Sequence, residues 1–147
     1  MRLFRGKMNA DNPEHTALTK LGEGGTQPQR QLETFPNRNP ERDYVVELNT
    51  SEFSCLCPKT GQPDFAEILI RYCPDQRIVE SKSLKLYLWS YRDEGVFHEH
   101  FANQLLDDLV VAMDPRWCRV EVNFNPRGGI GIVVTAESGT PPEAAFS

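Results

Sequence analysis

The stretch FAEILIRYCPDQRIVESKSLKLYL, residues 65–88, changes its hydrophobic period part-way along. In FAEILIRY (65–72) apolar and polar residues alternate, which predicts a β-strand with one buried face. After RIVE (77–80) the spacing becomes helical, and Ser81 is predicted to cap the helix. A strand followed by a helix is therefore expected here. The predicted buried strand residues are Ala66, Ile68, Ile70 and Tyr72, and the apolar helix residues are Leu84, Tyr87, Leu88 and Tyr91.

A second helix is predicted after Gly95, where apolar residues recur at every fourth position. Asp114-Pro115 ends this pattern, because the residue before a proline avoids the helical conformation. Two helices therefore follow each other without a strand between them. The recurring residues are Phe97, Phe101, Leu105, Leu109 and Met113, widened by Leu106 and Val110.

Strands are predicted on both sides of this helical pair. YVVEL (44–48) precedes the stretch at 65–88, and WCRVEVNF (117–124) follows the second helix. The turn NPRGG (125–129) then leads to IGIVVT (130–135), which predicts a hairpin. The order strand, strand, helix, helix, strand, strand predicts an antiparallel α+β fold. It contains no βαβ alternation and so no Rossmann domain.

The predicted sheet has two open edges and one covered face. Open edges are sites where further strands can pair, and several copies joined edge to edge would remove them. We therefore expect a homo-oligomer.

The length of 147 residues predicts one domain with two extensions. Residues 1–43 are poor in apolar periodicity and are expected to form an arm, partly flexible, that docks on the body or wraps a neighbour. Residues 44–136 form the patterned domain, and residues 137–147 are expected to be a loose tail. The LGEGG run at 21–25 lacks the full glycine fingerprint of a nucleotide loop.

Composition excludes several classes of protein. The net charge is −5, with no basic stripe of the kind that nucleic-acid binders and anionic-membrane binders carry. No apolar run is long enough to span a membrane. Residues 1–15 turn polar after four positions, so no signal peptide is expected. The four cysteines are therefore expected to be reduced thiols in a cytoplasmic protein.

The segment FSCLCPKTGQPDF (53–65) holds the first candidate for chemistry. Cys57 precedes a proline in a loop between two strands, and Asp64 lies at the start of the second strand. A loop cysteine and a carboxylate held by strand ends suit covalent catalysis. The alternative is that Cys57 is a small buried apolar residue, as most free cysteines are.

A metal site is the second possible use of these cysteines. It would join Cys55 and Cys57 to His98 and His100, with Cys73 as a further ligand. The Cys-x-Cys spacing is atypical for zinc, and helix residues two apart do not share a face. No metal is expected, and Cys55 is expected to pack in the interior.

ESKSLK (80–85) opens the first helix, where free backbone N–H groups favour an anion. Lys82 and Lys85 share a face there and either bind phosphates or form a solvated surface. Glu80, just before the helix, is either a structural cap or an anchor for a ligand.

FHEH (97–100) opens the second helix. Glu99 has the chemistry to accept two parallel hydrogen bonds from a ligand edge, and His98 to relay protons near neutral pH. Both also fit ordinary first-turn positions of a helix. Arg127, in the NPRGG turn, reads as a solvated cation at the tip of a loop.

Four motifs in this order, CPKTGQPDF, ESKSLK, FHE and NPRGG, resemble one known family. They are similar to the NADPH-dependent 7-cyano-7-deazaguanine reductases, the QueF family of queuosine biosynthesis. The resemblance covers roughly residues 44–135, and the length is that of the short, single-module branch. It implies the tunnelling fold (T-fold), in which ββααββ units assemble into barrels with active sites between subunits. A homodecamer is the state that it implies.

The resemblance also implies roles for single residues. Cys57 matches the nucleophile, Asp64 the proton donor, and His98 the histidine beside the nitrile. Two groups of binding residues follow. The residues matching the substrate pocket are Val79, Glu80, Ser81, His98 and Glu99, and those expected at the cofactor phosphates are Lys82, Lys85 and Arg127, the last from a neighbouring chain.

The implied reaction suits these residue types. Attack of a thiolate on the nitrile carbon, with a proton delivered to nitrogen, gives a covalent thioimide that is easier to reduce than the nitrile. Two NADPH molecules then carry the substrate to the aminomethyl product used in tRNA modification, and no metal or flavin is required.

There are two rival interpretations, of which the second belongs to a different functional class. The first is a metal-dependent enzyme of the same fold, similar to GTP cyclohydrolase or a pterin synthase, against which the atypical cysteine and histidine spacings count. The second is a non-catalytic purine-binding or assembly module, for which Cys57 is dispensable.

Overall fold

The computed structural model describes residues 27–147 as an antiparallel α+β structure, as the order of predicted elements indicates. The elements are β1 (Thr34–Pro36), β2 (Val46–Leu56), β3 (Pro63–Cys73), β4 (Arg77–Val79), α1 (Ser81–Trp89), α2 (His98–Met113), β5 (Trp117–Arg127), β6 (Ile130–Gly139) and a 3-10 helix (Glu143–Phe146). A four-stranded sheet has the strand order β2-β3-β5-β6, and β1 pairs with β4 in a separate two-stranded sheet. All pairings between these strands are antiparallel.

One face of the four-stranded sheet carries the core. The predicted alternation of β3 is confirmed, since its apolar residues on that face are all buried. Strand β3 is central, and Ile68 lies opposite both Thr50 of β2 and Val122 of β5. The buried residues of this face include Phe53, Cys55, Ala66, Ile68, Ile70, Tyr72, Cys118, Val120, Val122 and Phe124.

Strand β2 is longer than the predicted YVVEL segment. It continues to Leu56 through the polar run at 49–52, where its register against β3 shifts between Thr50 and Phe53. The polar residues of this irregular edge strand do not alternate with apolar ones. The sequence pattern therefore predicted too early an end for the strand. The extension matters because it brings Cys55 directly opposite Asp64 of β3.

The helices cover this apolar face of the sheet. Phe101 of α2 is fully buried and stacks on Phe53 of β2 with ring centroids 4.2 Å apart. Phe97 is the exception to the predicted stripe: it precedes the helix as its N-cap residue and is 47% exposed. Helix α2 ends as predicted, with Asp114 in the left-handed conformation at φ 48° before Pro115.

The predicted cap of α1 is wrong by one residue. Ser81 is already helical, and Glu80 is the N-cap in an extended conformation. Its carboxylate accepts hydrogen bonds from the backbone N–H groups of Lys82 and Ser83, both at 2.7 Å. Glu80 is therefore buried against the positive end of the helix, where a negative charge is stabilised.

The two chain ends differ in what the structure describes. Residues 1–26, including LGEGG, lie outside the described part. From residue 27 the arm contacts the body, since β1 pairs with β4 and the Arg30 guanidinium lies 3.8 Å from the centre of the Tyr91 ring.

The segment after residue 136 is more ordered than the expected loose tail. Strand β6 continues to Gly139, and the 3-10 helix buries Ala145 against Cys73 and Trp117. Arg71 fixes this helix by donating to the Ala145 carbonyl at 2.9 Å. The hydrophobic period stops at residue 135, so only the tertiary contact reveals the docking.

Within residues 27–147, neither helix combines the length and the apolar character that crossing a bilayer needs.

Candidate active site

The loop 57–62 is closed by two backbone hydrogen bonds. The Cys57 N–H donates to the Gln62 carbonyl at 2.8 Å, and the Gly61 N–H donates to the Cys57 carbonyl at 2.9 Å. Gly61 has φ +70°, which favours glycine. The loop therefore holds the partly exposed Cys57 at a fixed place at the end of β2.

The connection between the helices is pinned beside this loop. The Leu56 N–H donates to the Glu94 carbonyl at 2.9 Å, and the Val96 N–H donates to the Leu56 carbonyl at 3.1 Å. A side chain at Gly95 would meet the Pro58 Cα at 3.0 Å, so the close approach favours glycine. This contact brings the start of α2, and with it His98, to the end of β2.

The surroundings of Cys57 stabilise a thiolate. The Thr60 hydroxyl, followed by the backbone N–H groups of Thr60 and Lys59, hydrogen-bonds the sulfur and lowers the pKa of Cys57 to about 7. The Arg127 side chain adds to this effect, while desolvation opposes it. Burial instead raises the pKa of Cys55 to about 12, so that thiol stays protonated. Cys57 is therefore the reactive thiol, and Cys55, two residues away, is unreactive.

Alkylation of Cys57 by iodoacetamide is expected to increase with pH and reach half its plateau near pH 7, since only the thiolate reacts. Below that pH the thiol is protonated and alkylation slows. Thr60→Val removes the leading hydroxyl donor and shifts the midpoint upward, and Thr60→Ser restores it. The rate is measured by mass spectrometry of the Cys57 peptide, with Cys57→Ala as the blank. A wild-type midpoint at about pH 8.5, the value of a free cysteine, would contradict this assignment.

Asp64 is the buried centre of a charged cluster. Its side chain is 3% exposed, and Oδ1 accepts a hydrogen bond from Arg127 Nη1 at 2.8 Å. Its Oδ2 lies 3.2 Å from His98 Nε2. The imidazole in turn stacks on Phe124 with ring centroids 3.6 Å apart. Asp64 is thus held by a guanidinium on one side and an imidazole on the other.

Arg127, at the end of β5, is paired within its own chain. Its guanidinium bonds Asp64 and Gln62 of its own chain, so it is not a solvated cation at a loop tip. The register of β5 against β6 shifts between Phe124 and Arg127. Such an irregularity re-aims side chains at a strand end, and no sequence period predicts it.

The residues around α1 form a second group, apart from this cluster. Val79 is buried in the core, and both Glu80 carboxylate oxygens accept from the helix. Ser81 and Lys85 line a cavity of about 730 Å³ between α1 and β2, whereas Cys57, Asp64 and His98 are not among its lining residues. Lys82 is half-buried and also lies in the first turn. One chain therefore does not bring all the predicted site residues together.

Two polar residues beside His98 lie on the surface. Glu99 and His100, both in the first turn of α2, are exposed.

Among residues 27–147, no three side chains of His, Cys, Asp or Glu are grouped in a way that suits a metal ion.

The QueF-like protein family matches residues 63–143 of this sequence. The chain belongs to the QueF-like family. A relative from Syntrophus aciditrophicus (strain SB), named NADPH-dependent 7-cyano-7-deazaguanine reductase, is 61% identical over 84% of this chain and 88% of its own. A protein of the same name from Thermomicrobium roseum is 62% identical over 76% of this chain and 87% of its own.

A solved structure is also similar to this QueF-like chain. It is that of the archaeosine synthase QueF-Like in the apo form, with a TM-score of 0.63 and 29% sequence identity. The similarity covers 69% of this chain and 99% of that one.

Three residues that contact Cys57, Arg127 or His98 were not predicted from the sequence. Thr60 contacts the Cys57 sulfur, Gln62 accepts from Arg127, and Phe124 supports His98. A threonine three positions after a loop cysteine was an available signal, because Ser and Thr hydroxyls often bond within tight turns. The roles of Gln62 and Phe124 depend on contacts 65 and 26 residues away in sequence, for which no local signal exists.

Proposed function

We propose that this chain is an NADPH-dependent reductase that converts the nitrile of 7-cyano-7-deazaguanine to the aminomethyl group of 7-aminomethyl-7-deazaguanine, in queuosine biosynthesis. One observation carries the proposal. A partly exposed cysteine whose pKa is about 7 lies on a closed loop beside the Asp64–His98 pair, in a chain 61% identical to a protein of that name. Of the four free cysteines, only Cys57 is not buried.

The first step is attack by Cys57 on the substrate. Its thiolate forms a C–S bond with the nitrile carbon, one π bond of the C≡N group breaks, and the nitrogen takes a proton. That proton comes from the Asp64–His98 pair, whose facing atoms Oδ2 and Nε2 are 3.2 Å apart, within reach of a hydrogen bond. The product is a thioimide on Cys57.

The described cations suit the phosphates of NADPH. Lys85 and Arg92 both line the 730 Å³ cavity, and Lys82 lies one position after Ser81 on the same helix end. We assign the phosphates to Lys82 and Lys85. Two NADPH molecules, bound in turn, would each supply one hydride, and together these take the substrate from the nitrile to the amine level.

We assign the purine edge to Glu80 and Glu99, with Val79 and Ser81 beside Glu80. A carboxylate accepts a ring N–H and an exocyclic NH₂ in two parallel bonds. Glu99 is exposed next to His98, which places an acceptor beside the reacting group. Glu80 uses one hydrogen bond on each oxygen for the helix cap, and each oxygen retains a lone pair for a ligand.

The separation of these residues supports a site shared between copies. Helix α1 has nine residues and is about 13 Å long, with Glu80 at its start. The segment after its end is the one bonded to Leu56, next to Cys57. We therefore infer that a second copy contributes the Glu80 end, in a T-fold barrel and a homo-oligomer, with a decamer as the family's state. The edge strands β2 and β6 of the four-stranded sheet are the surfaces available for joining copies.

We place the reaction in the cytoplasm, without direct contact with nucleic acid or membrane. A catalytic thiol must stay reduced, and the net charge of −5 disfavours polyanionic surfaces.

The direct test is substrate-dependent oxidation of NADPH. Purified protein with 7-cyano-7-deazaguanine is expected to oxidise two NADPH per molecule of substrate, followed by absorbance at 340 nm and by mass spectrometry of the product. Binding of substrate without NADPH oxidation would overturn the reductase and favour a non-catalytic module. Consumption of GTP that a chelator abolishes would favour the metal-dependent alternative.

A further inference from the structure

We propose that Ser83, in the first turn of α1, is a positioning residue for the substrate. Together with Glu33 of the N-terminal arm, it fixes Glu80, one of the two carboxylates assigned above to the purine edge. The inference rests on the proposed function, because it concerns the ligand that Glu80 holds there. It gives the arm a part in substrate binding.

The Ser83 side chain is enclosed and bonded on both sides. Ser83 is 0% exposed, and its hydroxyl donates to the Glu80 carbonyl at 2.8 Å and accepts from the Glu33 N–H at 3.0 Å. The Ser83 backbone N–H also donates to Glu80 Oε2 at 2.7 Å. Ser83 therefore holds both the main chain and the carboxylate of Glu80.

Glu33 of the arm holds Glu80 from the other side. The Glu33 carbonyl accepts from the Glu80 N–H at 2.8 Å. The next residue, Thr34, begins β1 and lies opposite Val79, the residue before Glu80. The arm thus bonds the Glu80 N–H, while Ser83 bonds the Glu80 carbonyl.

This support suits an anchor for a planar ligand edge. Glu80 is 4% exposed, and each carboxylate oxygen already accepts one hydrogen bond from α1. The directions of the remaining lone pairs therefore follow from the orientation of the Glu80 backbone. Hydrogen bonds weaken steeply when they are misaligned. Binding groups keep a precise geometry when neighbouring hydrogen bonds and packing lock them.

Ser83→Ala is expected to weaken the binding of 7-cyano-7-deazaguanine about 10-fold, the scale of one impaired hydrogen bond to a charged group. Alanine is a strong helix former, so α1 is expected to persist. The change removes the donor to the Glu80 carbonyl and the acceptor of the Glu33 N–H. The rate of adduct formation at saturating substrate is expected to stay within about 2-fold of wild type, because only binding is affected.

Ser90 gives a matched control at the other end of the same helix. Its hydroxyl also bonds the arm, since it accepts from Arg30 Nε at 3.1 Å. Ser90 is the C-cap of α1, whereas Glu80 is the N-cap. Ser90→Ala is therefore expected to keep the affinity within about 2-fold of wild type. Ser83→Thr keeps a hydroxyl and is expected to recover the affinity lost in Ser83→Ala.

Calorimetric titration with 7-cyano-7-deazaguanine gives the affinities, with each serine change made in the Cys57→Ala protein so that no adduct forms. Rapid-quench mass spectrometry with Cys57 intact gives the adduct rates. An unchanged affinity in Ser83→Ala would overturn this inference, as would an equal loss in Ser90→Ala or a loss confined to the saturating adduct rate.

A second variant covers the case in which Ser83→Ala does not fold. Ser83→Cys has only a weak S–H donor and then takes its place in the same comparison. Failure of Cys57→Ala alone to bind 7-cyano-7-deazaguanine would instead overturn the proposed function.

Discussion

The Cys57→Ala variant is expected to lose substrate-dependent NADPH oxidation by at least about 10⁴-fold, the scale seen when a covalent nucleophile is removed. The nitrile carbon is a weak electrophile, and without the thioimide no easily reduced C=N bond forms. Cys57→Ser is expected to be nearly as inactive, because the environment that lowers the pKa of the thiol to about 7 does not bring a serine hydroxyl near ionisation.

The fold should survive this change. Cys57 is partly exposed, and its loop is closed through its own backbone groups, which alanine retains. Thermal unfolding and substrate affinity are therefore expected to stay close to wild type. Activity above about one per cent of wild type in a well-folded Cys57→Ala protein would contradict the covalent route.

The Asp64→Asn variant is expected to lose about 10²- to 10⁴-fold in turnover, the range for loss of a general acid. Asparagine has the same shape and still offers Oδ1 to Arg127, but it carries no transferable proton and no charge. Adduct formation is the affected step, because the nitrile nitrogen takes its proton there. Steady-state kinetics and single-turnover adduct formation should therefore decline together.

A control for the aspartate-to-asparagine change exists in a second, more exposed aspartate–arginine pair. Asp75 lies 3.3 Å from Arg116 and belongs to no part of the Asp64 cluster. Asp75→Asn is expected to keep turnover within about 2-fold of wild type, since exposed pairs contribute little. Equal losses in the two variants would show that the effect of Asp64→Asn is not specific to the Asp64 cluster.

The fold was predictable from sequence wherever one face of an element is buried. Strand β3 and helix α2 have apolar residues at fixed periods because each has a single contact face, and both were predicted correctly. Two elements were predicted too short or missed, because the residues that hold them do not recur at a regular spacing in the sequence. The second half of β2 pairs through polar residues at an irregular register, and the C-terminal helix docks through Arg71 and Ala145.

The candidate site was predictable only in part. Cys57 and Asp64 lie at the two ends of one short loop, so their proximity follows from local sequence. Arg127 reaches Asp64 across 63 residues of sequence, and its direction depends on the β5 irregularity. Glu80 had two possible roles, a helix cap or an anchor for a ligand. The structure shows the cap, and the carboxylate keeps lone pairs that a ligand can use.

Intact-protein mass spectrometry after mixing with 7-cyano-7-deazaguanine, without NADPH, tests the central claim most directly. Wild type is compared with Cys57→Ala and with Cys55→Ala, which removes the buried thiol whose pKa is about 12. A mass increase of one substrate on wild type and Cys55→Ala, absent from Cys57→Ala, is the predicted result. An adduct that persists in Cys57→Ala, or no adduct on wild type with bound substrate, would contradict Cys57 as the nucleophile.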